Sequence, residues 1–570
     1  MKPGAAGGAR APASLSKCDY AAPRRTSDGV VNPCPHLASS PPNPHDNHRR
    51  WPRWWVPVEL AGWVALLLVL GGCGQLPPLG ERVESSAYTD TAGTRLGRAV
   101  AAQAAAHPGR SGVLPLPEGR QAFAVRMRLA EAAERSLDLQ YYIWRTDLTG
   151  TLLLDALRRA ADRGVRVRLL LDDNNTAGLD PWLAALDSHP HIEVRLFNPF
   201  VQRGWRWLGY LGDFARLNRR MHNKSFTADN QVTVVGGRNI GDEYFGAGQD
   251  LSFIDLDALA VGEVVSRVSA DFDRYWASAS AYPAAALLPA AGAQALAPLA
   301  EQAMRSERVA AAAPFLEALR RRDQVQRLQD GALPLEWTTV RLVSDDPAKA
   351  LDGGAPQDQG SVAQRLAEAM GEARRELLLV SPYFVPTDAG TAALAGLARR
   401  GVAVGVLTNS LAATDVPAVH AGYAKHRREL LAAGVRLLEL KPEPEDTGPR
   451  APGDRGLPGS SGASLHAKTF AIDRERIFIG SFNLDPRSAS LNTESGFVID
   501  SPRLASLLAE VFDAAPARAY ALRLGADGDP EWVEAAADGP PRVHASEPRS
   551  ALWRRALVRL LSWLPIEWLL

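Results

Sequence analysis

Hydrophobic and polar positions follow the same series of patterns twice along this chain. Short apolar runs bounded by Gly or polar residues are typical of buried strands, and a 3.6-residue apolar period is typical of helices. In the first series, strand, helix, strand and strand patterns lie at residues 137–144, 150–163, 165–171 and 194–197. In the second series they lie at residues 377–381, 389–400, 402–407 and 435–438. The alternation predicts a mostly parallel sheet covered by helices, and the repeat predicts duplicated α/β domains.

The domain boundaries follow from where these patterns begin and end. We predict a first α/β domain at 115–282 and a second at 336–525, separated by an Ala-rich helical connector at 283–335. Residues 74–114 and 526–550 are predicted to be linkers.

The N-terminal region has the composition of a leader. Residues 1–48 are rich in Pro, Gly, Ala and Ser, which predicts disorder or a start codon assigned too far upstream. Residues 49–73 run from basic to apolar and end in Leu-Gly-Gly-Cys73, as secretory signals do. This ending resembles a bacterial lipobox, which would make Cys73 the lipidated first residue of an envelope protein. A plain transmembrane anchor is the alternative, although the apolar run is short for a span of about 20 residues.

Charge and cysteine content exclude several classes of protein. Lys plus Arg and Asp plus Glu both number 64, so no global basic field holds nucleic acid, and we predict no nucleic-acid partner. The three cysteines, Cys18, Cys34 and Cys73, all precede the predicted domains. A disulfide framework and a cysteine zinc site are therefore excluded there.

The repeat carries a second, more specific signature, which is a His-x-Lys-x4-Asp motif in each half. The first motif is His222, Lys224 and Asp229, and the second is His466, Lys468 and Asp473. Small and amide residues recur fifteen and seventeen positions after each His, as Gly237 and Asn239 and as Ser481 and Asn483. Agreement of both spacings within a duplicated chain is far more specific than one motif alone.

These residue types suit the chemistry of a phosphodiester. Side chains two apart on a strand share a face, so each half presents an imidazole beside an ammonium group. When the halves face each other, two cations can bind the phosphate, one imidazole can attack phosphorus, and the other can serve as acid and base. We expect Asn239, Ser481 and Asn483 to add phosphate donors, and we predict neither a metal nor another cofactor.

Each reactive imidazole also needs a partner that fixes its second ring nitrogen. We predict Glu494 as the orienting carboxylate for His466 in the second half, and Asp255 as its counterpart for His222. Asp255 could alternatively cap a strand, and Asp229 and Asp473 could form ion pairs within the fold instead of joining the catalytic set.

The paired motifs, together with the segment Gly-Ser-Phe-Asn-Leu-Asp-Pro-Arg-Ser at 480–488, resemble the phospholipase D superfamily. Residues 236–245, 408–417 and 420–426 and the final Leu-Pro-Ile-Glu-Trp-Leu-Leu resemble its cardiolipin synthase C branch. The resemblance implies two duplicated α/β sandwich domains packed face to face around one shared active site. It also implies a phosphohistidine intermediate on His222, with His466 as acid and base, and phosphatidyl transfer to the alcohol of a second phospholipid such as phosphatidylglycerol.

Three other functions remain open at this point. A phospholipase D that uses water as acceptor would need the same residues. A nuclease would favour a basic groove, and an inactive scaffold lipoprotein would not need intact motifs.

The C-terminal residues 551–570 have an amphipathic pattern. Arg554, Arg555 and Arg559 fall on one arc of a helix, opposite Trp553, Leu557 and other apolar residues. This arrangement predicts an interfacial helix at a membrane surface, and a helix docked on the protein core is the alternative. His420 and His426 lie on another helical stretch, either at a lipid entrance or on a solvated face.

Overall fold

The computed structural model describes most of the chain beyond the predicted leader. The described residues are 76–80, 82–247, 251–308, 312–320, 324–351, 361–442, 462–536, 539–564 and 567–570. The predicted disordered and signal segments and Cys73 therefore lie outside the described residues.

The first half is built on a nine-stranded sheet with the order β10-β1-β8-β6-β5-β2-β3-β4-β9. Its strands are β1 (Ser111–Leu116), β2 (Ser136–Ile143), β3 (Arg166–Asn175), β4 (Ile192–Phe197), β5 (Ser225–Ala228), β6 (Val232–Gly236), β8 (Asp257–Gly262), β9 (Ala281–Pro283) and β10 (Glu336–Thr338). Strands β2 to β4 are largely buried on both faces, and their polar side chains include the buried ion pair of Arg168 with Asp138.

The second half repeats this arrangement in a ten-stranded sheet, β11-β18-β17-β16-β12-β13-β14-β19-β20-β21. Its strands are β11 (Val340–Ser344), β12 (Glu376–Val380), β13 (Ala403–Asn409), β14 (Arg436–Leu440), β16 (Lys468–Ile472), β17 (Arg476–Gly480), β18 (Ser495–Asp500), β19 (Ala519–Leu524), β20 (Pro530–Glu534) and β21 (Arg542–His544). A separate parallel pair, β7 (Leu251–Ile254) with β15 (Gly462–Leu465), joins the two halves.

Both sheets are mixed, so the prediction of mostly parallel sheets is wrong. In each half three neighbouring strands run parallel, β2-β3-β4 and β12-β13-β14. The strands on either side of each trio pair antiparallel. The motif strands β5 and β16 return through tight hairpins to β6 and β17, and such connections need no crossover helix.

Helices pack against the faces of the two sheets. In chain order they are α1 (Arg95–Ala106), α2 (Gly119–Ala132), α3 (Leu148–Asp162), α4 (Asp180–Asp187), α5 (Arg206–Gly212), α6 (Phe214–Leu217), α7 (Asp242–Phe245), α8 (Glu263–Ala277), α9 (Leu296–Glu307), α10 (Ala313–Arg320), α11 (Gln324–Gln329), α12 (Val362–Met370), α13 (Thr387–Arg399), α14 (Pro417–Ala424), α15 (Arg427–Ala432), α16 (Pro486–Ser490), α17 (Pro502–Ala514) and α18 (Leu552–Leu561). No helix among these described residues is long and apolar enough to cross a membrane.

The two halves pack against each other through a shared apolar core. One cluster of buried side chains combines Val235, Ala258 and Val264 of the first half with Leu378 and Ile479 of the second. Helix α8 also contacts β11 across the boundary. The halves are thus duplicated α/β layers packed into one body, as the fold prediction states.

Two predicted linkers contain regular structure. The 74–114 segment includes α1, and its Leu96 and Val100 belong to the first core. The 526–550 segment includes β20 and β21, which extend the second sheet. Both stretches bury few side chains, so their apolar period is too weak to detect in the sequence.

Candidate active site

The two motif histidines lie where the halves meet, and each is held by the opposite half. His222 immediately precedes β5, and its backbone N–H donates to the carbonyl of Thr493 at 2.9 Å. His466 lies between β15 and β16, and its backbone N–H donates to the carbonyl of Ile254 at 2.8 Å. The two contacts follow one scheme related by the internal repeat, so the halves form one site between them.

The orienting carboxylates are exchanged between the halves, which corrects the predicted pairing. Glu494 follows Thr493, and its Oε2 lies 2.8 Å from Nδ1 of His222 in the first half. Asp255 follows Ile254, and its Oδ2 lies 2.5 Å from Nδ1 of His466 in the second half. The predicted residues are the right carboxylates, but each serves the histidine of the other half. With Nδ1 held in this way, Nε2 of each imidazole is the nitrogen available for chemistry.

Both motif lysines are buried beside these histidines. Lys224 Nζ donates to the carbonyl of His222 at 2.5 Å, and Lys468 Nζ donates to the carbonyl of His466 and approaches its Nδ1 at 3.1 Å. The charges of both lysines act on His222 and on His466, which requires all four side chains to share one pocket.

Burial and the lysine charges keep the imidazoles neutral. Burial, followed by the charge of Lys468, lowers the pKa of His466 to about 4. Burial and both lysines also lower the pKa of His222 well below its usual value. Burial lowers the pKa of Lys468 to about 8 and that of Lys224 well below its usual range. A neutral imidazole with a free Nε2 lone pair is the form that a nucleophile or a base requires.

The two orienting carboxylates differ in their electrostatic surroundings. Burial raises the pKa of Glu494 to about 7, against the opposing charge of Lys224. The pKa of Asp255 is instead lowered despite its burial, chiefly by His466 and then by Lys468. Asp255 is therefore the carboxylate whose ionised form the site favours more strongly.

The predicted phosphate donors hold the site together in several ways. The Ser481 hydroxyl donates to Glu494, so it helps to orient that carboxylate. Asn239 accepts from the backbone N–H of Ile143 at 3.1 Å, and Asn483 is buried on the loop after β17. A Cβ at Gly237 would lie 2.2 Å from Oδ1 of Asp255, so glycine is required there for Asp255 to reach His466.

The motif aspartates lie away from the reacting groups, which corrects their predicted place in the catalytic set. Asp229 accepts from the backbone N–H groups of Glu134, Arg135 and Ser136. Asp473 accepts in the same way from Arg374, Arg375 and Glu376. Seven residues of extended chain span roughly 20 Å, so these carboxylates cap the far ends of β2 and β12. Their partners are backbone amides, and not the ion-pair partners considered from the sequence.

Several aromatic residues at the site were not predicted. Tyr142 packs edge-on against His222, with ring centroids 4.9 Å apart. Tyr244 and Phe253 flank His466 at 5.2 and 4.9 Å. Tyr142 follows Tyr141, and strand alternation is the signal that separates them, because Tyr141 points into the core and accepts from Arg126.

An acidic residue and a tyrosine from the second half complete the pocket wall. The Tyr383 hydroxyl donates to Asp415 at 2.8 Å. Burial and then the charge of Glu243 raise the pKa of Tyr244, and the charge of Asp415 adds a smaller effect in the same direction, so Asp415 lies near Tyr244. The 408–417 tract, which carries part of the resemblance, therefore lies near the site.

A second cluster with metal-like spacing lies in the second half. His420, Glu439 and Glu547 are the group among the described residues whose ligand atoms converge. The guanidinium of Arg427 lies among them, 2.7 Å from Glu439, 2.6 Å from Glu547 and 2.7 Å from His420. Arginine supplies the positive charge there, so His420 belongs to a buried ion network and not to a solvated helix face.

Comparison with known proteins agrees with this geometry. A family model described as "Cardiolipin synthase, PLD-like domain" matches residues 127–276 and 366–515, more than half of the chain. The chain belongs to the phospholipase D superfamily. Cardiolipin synthase C of Escherichia coli K12 is 51% identical over 84% of this chain and 100% of its own length.

Two further matches are less similar to this chain in sequence. An uncharacterised protein of Helicobacter pylori 26695 is 32% identical over 72% of this chain and 80% of its own length. The crystal structure of phosphatidylserine synthase from Haemophilus influenzae Rd KW20 is 13% identical, with a TM-score of 0.51. It covers 84% of this chain and all of that one, which supports the shared fold.

Proposed function

We propose that this enzyme is a cardiolipin-synthase-like phosphatidyltransferase. The observation that carries the proposal is the single pocket in which two His–Lys pairs each receive a carboxylate from the opposite half. Its 51% identity to a cardiolipin synthase gives the substrate class, which is glycerophospholipid.

In the first step, Nε2 of His222 attacks phosphorus of a donor phospholipid. A P–N bond forms and the bond from phosphorus to the headgroup oxygen breaks. His466, carrying a proton on Nε2, transfers it to the departing alkoxide. The negative charge of the bound phosphodiester opposes the lysine charges and raises the pKa of His466, which supplies that proton.

In the second step, His466 acts as a base. It removes the proton from a hydroxyl of a second phospholipid, most simply phosphatidylglycerol. The new oxygen attacks phosphorus, the P–N bond breaks, and His222 returns to its neutral form. Lys224 and Lys468 bind the phosphate oxygens, where charge grows in both transition states.

We further propose an envelope location for the enzyme. The relatives named cardiolipin synthases act in membrane lipid synthesis, and the lipobox-like residues supply an anchor through Cys73. Mass spectrometry of the membrane-extracted protein would then find diacylglyceryl-Cys73 as its first residue, and an intact chain beginning upstream of residue 49 would overturn this point.

The transfer activity is tested with purified protein and labelled phosphatidylglycerol, with and without phosphatidylethanolamine. We expect cardiolipin among the products, and nearly complete loss of turnover in both His222→Ala and His466→Ala. Phosphatidic acid as the sole product would show a hydrolase that uses water as acceptor. Half the activity remaining in either single variant would contradict a single shared site.

A further inference from the structure

A short segment after β4 exposes large apolar side chains. Around α5 and α6, Trp205 is 69% exposed, Trp207 65%, Leu211 78% and Phe214 45%. We call residues 200–217 the tryptophan loop. Leaving four such side chains in water is unfavourable, because apolar side chains gain free energy when they leave water.

The tryptophan loop is held in this orientation by polar residues on its inner side. The guanidinium of Arg203 donates to Asp173 at 2.8 Å and to Asp180 at 2.6 Å from two of its edges. The Tyr210 hydroxyl donates to Asn174 at 2.8 Å. Arg203 and Tyr210 thus turn their polar groups toward the protein while the four large apolar side chains face out, although Phe200 and Leu217 at the ends of the segment are buried.

The C-terminal helix α18 has the same reversed orientation, which changes its predicted arrangement. Arg554, predicted on the outer basic arc, is buried and donates to the carbonyl of Thr414, and Val558 packs beside it against Leu411. Arg559 remains exposed, but the large side chains around it that face outward are apolar. On α18 they are Leu552 (79% exposed), Trp553 (55%) and Leu560 (57%), and in the residues after it Trp563 (78%), Leu564 (43%) and Trp568 (58%).

The side chain of Arg487 contacts both the tryptophan loop region and the C-terminal segment. Arg487 donates to Asn218, which directly follows α6, at 2.9 Å, and to the carbonyl of Leu569 at 3.3 Å. Exposed Phe214 lies one helical turn before Asn218, and exposed Trp568 immediately precedes Leu569. The tryptophan loop and the C-terminal segment therefore border one another, although more than 300 residues separate them.

The joint surface lies beside the active site. Tyr210 binds Asn174, which lies 3.4 Å from the Tyr142 hydroxyl, and Tyr142 packs on His222. The charge of Arg487 also acts on His222. On the other side, Thr414, the partner of Arg554, adjoins Asp415 of the pocket wall.

We propose that the tryptophan loop and the outer face of α18 form one surface that inserts into the lipid bilayer around the pocket entrance. The inference rests on the proposed function, because a phosphatidyltransferase takes its lipid substrates from a bilayer and these side chains lie beside the site. Tryptophan is the residue type that membrane interfaces favour, since its ring is apolar and its N–H remains wet. The site would thus draw a phospholipid headgroup from the membrane without exposing its acyl chains to water.

The test compares two matched pairs of substitutions in the full chain. Trp207→Ser with Leu211→Ser removes exposed apolar groups four residues apart on α5. The control, Leu507→Ser with Val511→Ser, removes an exposed pair with the same spacing on α17, at 41% and 51% exposure. Turnover is measured on phosphatidylglycerol vesicles and on short-chain phosphatidylglycerol dispersed in detergent.

We expect the α5 variant to lose at least about tenfold on vesicles, which corresponds to about 1.4 kcal/mol, and to keep its turnover on the dispersed lipid. The α17 control should match the wild type on both substrates. Equal loss on both substrates, no loss on vesicles, or the same loss in the control would each overturn the proposal. So would a dimer in detergent that the α5 variant converts to monomer, because the surface would then join two copies.

A fluorescence measurement tests the membrane contact independently of catalysis. Vesicles whose acyl chains carry bromine quench tryptophans that enter the bilayer. Wild-type protein should lose more fluorescence than Trp207→Phe does, even if neither forms cardiolipin. No difference between the two would overturn the membrane contact, whereas quenching without turnover would overturn only the proposed function.

Discussion

At the scale of residues, the orienting carboxylates are exchanged between the two halves. Glu494 holds His222, and Asp255 holds His466. Each carboxylate follows the motif of its own half along the chain, so the sequence alone pairs it with the histidine of that half. The sequence therefore identifies the two carboxylates but not the histidine that each one binds.

We predict that Glu494→Gln and Asp255→Asn slow different steps, each by up to about 10⁴-fold, because an amide partner holds an imidazole in the wrong tautomer. Glu494→Gln should slow formation of the His222 adduct with every donor. Asp255→Asn should slow it only when the leaving group needs a proton. Single-turnover trapping of the adduct checks this, with a natural donor and with a p-nitrophenyl phosphatidyl ester.

The p-nitrophenolate leaves without a proton, so it serves as the control for acid catalysis. Recovery of adduct formation by Asp255→Asn alone is the expected outcome. If Glu494→Gln recovers instead, then Glu494 serves the acid and the assigned roles are reversed.

The lysines predict how activity depends on pH. A lysine carries its charge below its pKa, and burial lowers that of Lys468 to about 8. We therefore expect kcat/KM to fall as pH rises through about 8, since the neutral amine no longer binds the phosphate. A pH series on dispersed lipid measures this. A profile that stays level to pH 10 would show that Lys468 keeps its proton or is not needed.

At the scale of elements, the repeated His-x-Lys-x4-Asp motif serves two purposes, one at the site and one at the end of a strand. His and Lys lie at the site end of β5 and β16, while Asp229 and Asp473 cap the opposite ends of the neighbouring strands. Both aspartates have positive φ, 51° and 54°, which follows from the tight turn into the next strand. One short motif thus fixes both the chemistry and the register of its strand.

We predict that Asp229→Asn costs about 1–3 kcal/mol of unfolding free energy, because a buried set of three amide donors loses its charged acceptor. Asparagine tolerates the positive φ, so the backbone need not change. Denaturant unfolding measures the loss, and kcat of the folded protein should remain close to that of the wild type. A large fall in kcat with unchanged stability would return Asp229 to the catalytic set.

Asp473→Asn serves as the matched comparison within the same repeat. Asp473 caps β12 with the same three-donor geometry but is less buried than Asp229. Its loss should therefore destabilise the protein less.

The sequence predicted the central elements of the fold better than its edges. The patterns at 137–144 and 165–171 correspond to β2 and β3, whose many buried apolar side chains leave a detectable signal. Edge strands such as β20 and β21 are short and half-exposed, so the 526–550 segment was indistinguishable from a linker. The antiparallel flanks escaped prediction because an apolar run carries no information about strand direction.

At the scale of the whole molecule, the site lies on the boundary between two repeats. The residues of the pocket were predictable because each half carries its own copy of the motif. Their exact partners were not, because cross-half contacts such as β7 with β15 depend on how two folded layers dock. The burial of Arg554 could not be predicted for a related reason, since an amphipathic pattern shows two helix faces but not which face packs against the protein.

The exchange of carboxylates between halves also bears on when the protein becomes active during its synthesis. A chain that has emerged only through its first sheet carries His222 and Lys224 but not Glu494, and it carries Asp255 without His466. His222 then lacks the carboxylate that holds it, and Asp255 lacks its histidine. Enzymatic competence therefore arrives late, after the second repeat has folded onto the first.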